Sequence, residues 1–285
     1  MRWLRVLVAV ALLGIMVSDA SPAAGFPGAN GRTVWVLRSD GSDSHIYLDL
    51  FTAQPDGSGR RQLTKNQFVE QAIVDPSGRL VAYWTPTADG FEVGVVGIKS
   101  HASMHVLTDA TLDWLFLTWS PDGKLYAVMS HVGDPAYEFV RLGMNGVITP
   151  VSTLGSLVVF SPVAHRVLTS TAGGGPATVS DPRGGHPVVV GNAYTLPAWA
   201  PDGSRIALPT ASAITIVNAD GTNPQTFPIS DPGLLWWSPD GTTIVYSAGG
   251  AIHPDGTPAT GPTAPSPPPG YLSSESRFYD WAPRP

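Results

Sequence analysis

The sequence predicts an all-β fold, a six-bladed β-propeller of four-stranded antiparallel blades, and three observations predict it. A hairpin motif related to Trp-Ser-Pro-Asp-Gly recurs in six versions along 285 residues. The versions lie about 40 residues apart, the length of four short strands and their turns. The last version stops at its turn, and the half it lacks stands at the front of the folded region.

The motif is clearest at Trp236-Trp237-Ser238-Pro239-Asp240-Gly241, followed by Thr243-Ile244-Val245-Tyr246-Ser247. Proline presets φ for the turn, and glycine accepts the positive φ that closes it, so two β-rich runs meet as a hairpin. The other versions centre on prolines 76, 121, 162, 201 and 283, giving successive spacings of 45, 41, 39, 38 and 44 residues with Pro239 included. Two places before each proline stands a large apolar residue: Val74, Trp119, Phe160, Trp199, Trp237 and Trp281. Radial sheets need such a side chain in every blade to fill the wedge between neighbours, and an aromatic one buries roughly 150–250 Å². One place earlier come Ile73, Thr118, Val159, Ala198, Trp236 and Asp280, which are expected to pack between blades.

Closure follows from the ends. The sixth version ends Trp281-Ala282-Pro283-Arg284-Pro285, while Asn30-Gly31 and Arg32–Leu37 supply a turn and a second strand. Pairing the two halves closes the ring and removes the open edges that invite aggregation.

Taken in order, Met1 to about Gly25 reads as a secretory signal. Arg2 and Arg5 precede the apolar run Val6–Val17, and small residues follow. That run is shorter than the roughly 20 residues of a spanning helix, which disfavours the rival reading of an uncleaved anchor. Residues 26–285 form the propeller. Residues 32–66 give three outer strands of the closing blade, and blades one to five cover about 68–110, 114–153, 156–191, 194–229 and 233–271. Blade three departs from the motif, with Pro162-Val163-Ala164-His165 in place of Pro-Asp-Gly. Blade five decays into a proline-rich stretch over 254–270. Proline cannot donate to a ladder, so the stretch reads as an excursion loop replacing an outermost strand. A polyproline ligand for a partner domain is the alternative.

The Trp-Ser-Pro-Asp-Gly hairpins resemble the repeat of TolB-type propellers, as do two other stretches. These are Ile46-Tyr47-Leu48 with Pro55-Asp56-Gly57-Ser58 and Gln62-Leu63-Thr64, and the run Ile216–Thr222. The resemblance spans about residue 26 to the end and leaves no room for the α/β domain that TolB carries ahead of its propeller. It implies the fold. The repeat occurs in periplasmic scaffolds, peptidase gate domains and many exported proteins, so it implies no single activity.

Composition excludes several classes. There is no cysteine, hence no disulfide, thiolate metal site or thiol nucleophile. A net charge of −6 with three lysines leaves no basic footprint for nucleic acid. Nucleophile-elbow, dinucleotide, P-loop and His-Glu-x-x-His patterns are absent. His101 and His105 would lie roughly 13 Å apart along a strand, too far to share a metal. Asp122, Asp202 and Asp240 are expected to cap turns. No cofactor or metal is expected.

One constellation remains. The loops leading into the innermost strands should open on one mouth of the channel, carrying Glu70, Asp109, Asp113, Asp231, Glu275 and Asp280 beside Trp114, Tyr194 and Tyr279, with Arg277 as the cation. Loops on a rigid scaffold are where recognition concentrates, and an acidic mouth suits a basic partner. The expected function is an exported, non-catalytic binding module in the periplasm, cell envelope or medium. It would be monomeric, not membrane-spanning after cleavage, and directed at a protein or envelope component. The alternative is a propeller lyase or lactone hydrolase with a metal in the channel.

Overall fold

The computed structural model describes residues 25–284 apart from 42–44, 89, 135 and 172; side chains at 273–276, 278 and 279 are also outside the description. The segment read as a secretory signal therefore lies outside it, but for Gly25.

The described residues form strands joined by turns. In chain order they are β1 (Asn30–Ser39), β2 (Leu48–Ala53) and β3 (Arg61–Gln62), then β4 (Gln71–Val74), β5 (Leu80–Thr87), β6 (Gly90–Gly97) and β7 (Ser103–Asp109). Next come β8 (Leu112–Trp119), β9 (Leu125–His131), β10 (Glu138–Leu142) and β11 (Ile148–Ser152), then β12 (Leu157–Phe160), β13 (Val167–Ser170), β14 (Gly175–Ser180) and β15 (Val188–Ala193). The chain continues through β16 (Ala198–Trp199), β17 (Arg205–Pro209), β18 (Ala213–Asn218) and β19 (Gln225–Pro228), then β20 (Leu235–Trp237), β21 (Ile244–Tyr246) and β22 (Gly250–Ile252). It ends in β23 (Tyr271–Pro283). No helix among the described residues is long and apolar enough to cross a membrane.

These strands make six antiparallel sheets, β4–β7, β8–β11, β12–β15, β16–β19, β20–β22 and the closing sheet β23-β1-β2-β3. Fold class and blade number agree with the sequence. Blade five has three regular strands, and its fourth survives as one bridge between Ile252 and Pro258. Residues 259–268 carry no strand, and the prolines among them have no N–H to donate to a ladder.

Closure is by the two ends. β23 pairs antiparallel with β1 from Asn30↔Pro283 through Thr33↔Trp281 to Ser39↔Tyr271, and the Arg284 amide donates to Ala29 O at 2.7 Å. Asn30 reaches the neighbouring blade as well, its side chain donating to Asp240 Oδ2 at 2.7 Å.

Four of the motif turns are closed in one way. The amides of Gly78, Gly123, Gly203 and Gly241 donate to the carbonyls of Asp75, Ser120, Ala200 and Ser238 at 2.8–2.9 Å. All four glycines have φ near +70°, where a Cβ is disfavoured. At Gly78 a Cβ would also lie 2.2 Å from Pro283 O of the closing blade. Ser238 Oγ donates to Asp240 Oδ1 at 2.6 Å and accepts the Thr243 amide at 2.9 Å, which accounts for Ser and Asp at their places in the motif.

The inward aromatic column is buried in full: Val74, Trp119, Phe160, Trp199, Trp237 and Trp281 are all 5% exposed or less. The indoles also stitch blades together. Trp119 Nε1 donates to Ile73 O at 3.3 Å and Trp237 Nε1 to Ala198 O at 3.2 Å, each acceptor belonging to the preceding blade. Arg205 of blade four lies over the Trp237 ring at 5.4 Å from its centroid.

Candidate functional site

Because successive strands alternate in direction, every connection into an innermost strand opens on one face of the disc. Turns between second and third strands share that face, and motif turns occupy the other. Glu70 precedes β4, Tyr194 precedes β16 and Asp231 precedes β20, so these three stand on connections at one mouth. Asp113 and Trp114 belong to β8 itself, near its start at the same mouth.

Neighbouring connections are tied to each other. Trp114 Nε1 donates to Ser156 O at 3.3 Å, and its ring meets Tyr137 edge-on at 6.4 Å. Thr195 Oγ1 donates to Gly233 O at 2.7 Å. The mouth is therefore a fixed rim. On it Tyr194 is 52% exposed, Asp113 and Asp231 are exposed, and Glu70 is half-buried. Asp113 accepts from Ser130 Oγ at 2.5 Å, and Asp109 accepts the amide and hydroxyl of Thr111. Asp231 has φ +45°, a left-handed conformation uncommon outside glycine, with its amide donating to Ala211 O at 3.0 Å.

The closing blade corrects part of the expected rim. Glu275, Arg277 and Asp280 lie within β23, where Arg277 pairs with Val36 and Asp280 with Val34, while Glu275 falls in an irregularity between the Ser276 and Tyr271 pairs. The side chains of Glu275 and Tyr279 lie outside the described residues. Arg277 lines a cavity of about 520 Å³ between blade five and the closing blade, together with Trp35, Trp236, Tyr246 and the glycine turn at 249–250. The cavity exists where blade five lacks its full fourth strand.

Asp280 is not on the surface. It is 3% exposed, its Oδ2 accepts the Val74 amide of blade one at 2.7 Å, and its Oδ1 accepts the Trp281 amide at 2.7 Å. Burial pushes its carboxyl up to about 8, outweighing the two backbone hydrogen bonds that oppose the shift. Its place one residue before the aromatic column explains this, since the other members of that column are buried as well. Thr118 plays the same part in blade two, accepting the Phe160 amide at 3.4 Å.

Two organising residues were missed by sequence reasoning. Gln71 spans blades one and two, with Nε2 donating to Leu117 O and Oε1 accepting Leu117 N, both at 2.8 Å. Asp49 is fully buried and accepts from Thr64 Oγ1, the Asn66 and Gln67 amides and Tyr271 Oη. Neither lies in a motif. Among the described residues no group of three or more His, Asp or Glu is placed to hold a metal.

No protein-family model matches the chain, and no curated protein matches it. Among solved structures it is similar to TolB from Acinetobacter baumannii, with TM-score 0.66 and 18% identity, covering 91% of this chain and 69% of that one. The fold is a TolB-type propeller. A chain of the nidogen/laminin complex is similar at TM-score 0.65 and 10% identity, over 88% of this chain and 97% of that one. Oligogalacturonate lyase from Vibrio parahaemolyticus is similar at TM-score 0.53 and 12% identity, over 81% and 72%. At these identities the TolB-type likeness concerns architecture alone.

Proposed function

We propose that the protein is an exported binding module, with residues 1–25 as its secretory signal and the mouth described above as its recognition face. The observation that carries this reading is the rim itself. A closed disc holds Tyr194 outward and keeps Asp231 in a costly backbone conformation, and such outliers cluster where ligands are recognised. Exposed acids at Asp113 and Asp231, beside half-buried Glu70, select a basic protein or envelope component by electrostatic steering. Similarity to a chain of the nidogen/laminin complex supports the idea that such a disc serves protein partners.

Cross-linking in the native envelope, with the wild-type chain and with Glu70→Lys/Asp113→Lys/Asp231→Lys, tests the reading. A partner captured by the wild type and lost from the triple variant is the expected result. Equal capture by both would remove the mouth as the recognition face. Fractionation of the producing cells tests export: the mature chain should leave the cytoplasm with its first 25 or so residues removed.

A further inference from the structure

A second cavity, of about 580 Å³, lies on the opposite side of the disc, where blades two and three meet. Its wall on blade two is one cross-strand row, Tyr126 of β9, Arg141 of β10 and Thr149 of β11. Its wall on blade three is the turn Asp181-Pro182-Arg183, joined by His165.

The blade-three turn can be compared with its equivalents in the same molecule. Turns between third and fourth strands in blades two, four, five and the closing blade are each closed by a glycine amide. These are Gly146 to Gly143 O, Gly221 to Asn218 O, Gly256 to His253 O and Gly57 to Gln54 O, all at 2.8–2.9 Å. Gly184 to Asp181 O, at 2.8 Å, is the blade-three member. The residue before that glycine is Asn145, Asp220, Asp255 and Asp56 in the other four, and Arg183 in blade three. The three aspartates are hydrogen-bonded first by the side chains and then by the amides of Ser58, Thr222 and Thr257, which hold their carboxyls below the ordinary value. Relative to those three turns, blade three gives up these bonds and reverses the charge, with Gly185 where they have Ser or Thr. In the same blade His165 ends the stretch that departs from Pro-Asp-Gly. Both departures put a nitrogen-bearing side chain on this cavity.

The nearby acids are already engaged. Asp181 meets His186 Nδ1 at 2.8 Å, and Asp122 meets Lys124 Nζ at 2.6 Å and His165 Nε2 at 3.9 Å. Among the described residues Arg141 and Arg183 have neither an ion pair nor a side-chain hydrogen bond. In a chain of net charge −6, this cavity gathers two guanidinium groups, from Arg141 and Arg183, against a single lining carboxylate, that of Asp181, which His186 already engages. Guanidinium forks match carboxylate and phosphate oxygens, and the Tyr126 ring with Pro150 and Val151 offers an apolar bed for the rest of a small molecule.

We infer that this inter-blade cavity binds a small anionic ligand, its carboxylate or phosphate group held by Arg141 and Arg183. The site is separate from the acidic mouth and does not depend on what the mouth binds.

Calorimetric titration of the full chain with inorganic phosphate and, separately, with citrate in 150 mM salt tests it, the stronger arm identifying the anion class. Saturable binding of at least one anion is expected, weakened about tenfold or more by Arg141→Gln and by Arg183→Asp. Arg183→Asp restores the acid its sister turns carry, so its melting temperature should be unchanged or higher, separating lost binding from lost folding. Lys65→Gln, outside the cavity, should bind as the wild type does. No saturable heat with either anion, or equal affinity in both arginine variants, would overturn the assignment.

Discussion

The junction between blades one and two and the junction where the ring closes solve one problem with different chemistry. Each must satisfy backbone groups on an innermost strand that has no further strand to pair with. At the first, the neutral Gln71 side chain both donates to and accepts from Leu117, and Trp119 donates to Ile73 O. At the closing junction a buried carboxyl, Asp280, accepts from Val74 and Trp281. A neutral amide serves equally at any pH. A carboxyl in the same setting ties the contact between the closing blade and blade one to the protonation state.

The largest effect expected at the first junction comes from the aromatic column. Trp119→Ala should cost about 3–5 kcal/mol by denaturant unfolding, as for other buried large-to-small changes. A loss below about 1 kcal/mol would mean that the column does not hold the blades together. Gln71→Leu comes next. It strands the N–H and C=O of Leu117 inside the core, and about 1–3 kcal/mol is expected for each buried group left unpaired. Gln71→Glu sharpens the comparison, because a carboxyl there should give the first junction the pH dependence of the second.

At the closing junction the sign follows from the shift. The folded state holds the Asp280 proton up to about pH 8, whereas the unfolded chain releases it near the ordinary value of 3.8. Stability from this group is fully present below the unfolded value and is lost as pH rises through the folded one. The slope is at most about 1.4 kcal/mol per pH unit between those limits. Asp280→Asn should flatten the melting profile between pH 5 and 9 and leave the variant the more stable of the two at the alkaline end. Parallel profiles for wild type and variant would show that the contact with blade one holds a charged carboxylate.

What the sequence discloses follows the same division. Blade number and closure were legible because the motif turn fixes residue types: proline for φ, glycine for the left-handed position, and serine with aspartate for the turn's own hydrogen bonds. The mouth was legible only as a set of connections. Ser273-Ser274-Glu275-Ser276-Arg277 has the composition of a loop, yet Ser276 and Arg277 pair with Leu37 and Val36 of β1, and Arg277 stands on a cavity wall. Gln71 and Asp49 could not be read, since their partners come from other strands and no local pattern marks them. Arg183 did leave a trace, as the one cation before a turn glycine where sister blades have Asp or Asn.

The smallest expected effect distinguishes members of the aromatic column from one another. Trp119 and Trp237 donate their indole N–H to the preceding blade, whereas Trp199 Nε1 is buried without a partner among the described residues. Phenylalanine keeps most of the ring and removes the donor. At 119 and 237 that change leaves the carbonyls of Ile73 and Ala198 without their indole donor; at 199 it removes a group that already lacked one. Trp199→Phe should therefore cost less than Trp119→Phe by about 1 kcal/mol, measured as a difference between denaturant midpoints at constant slope. Equal losses at the two positions would mean that ring volume alone, and not the indole hydrogen bond, decides how tightly one blade grips the next.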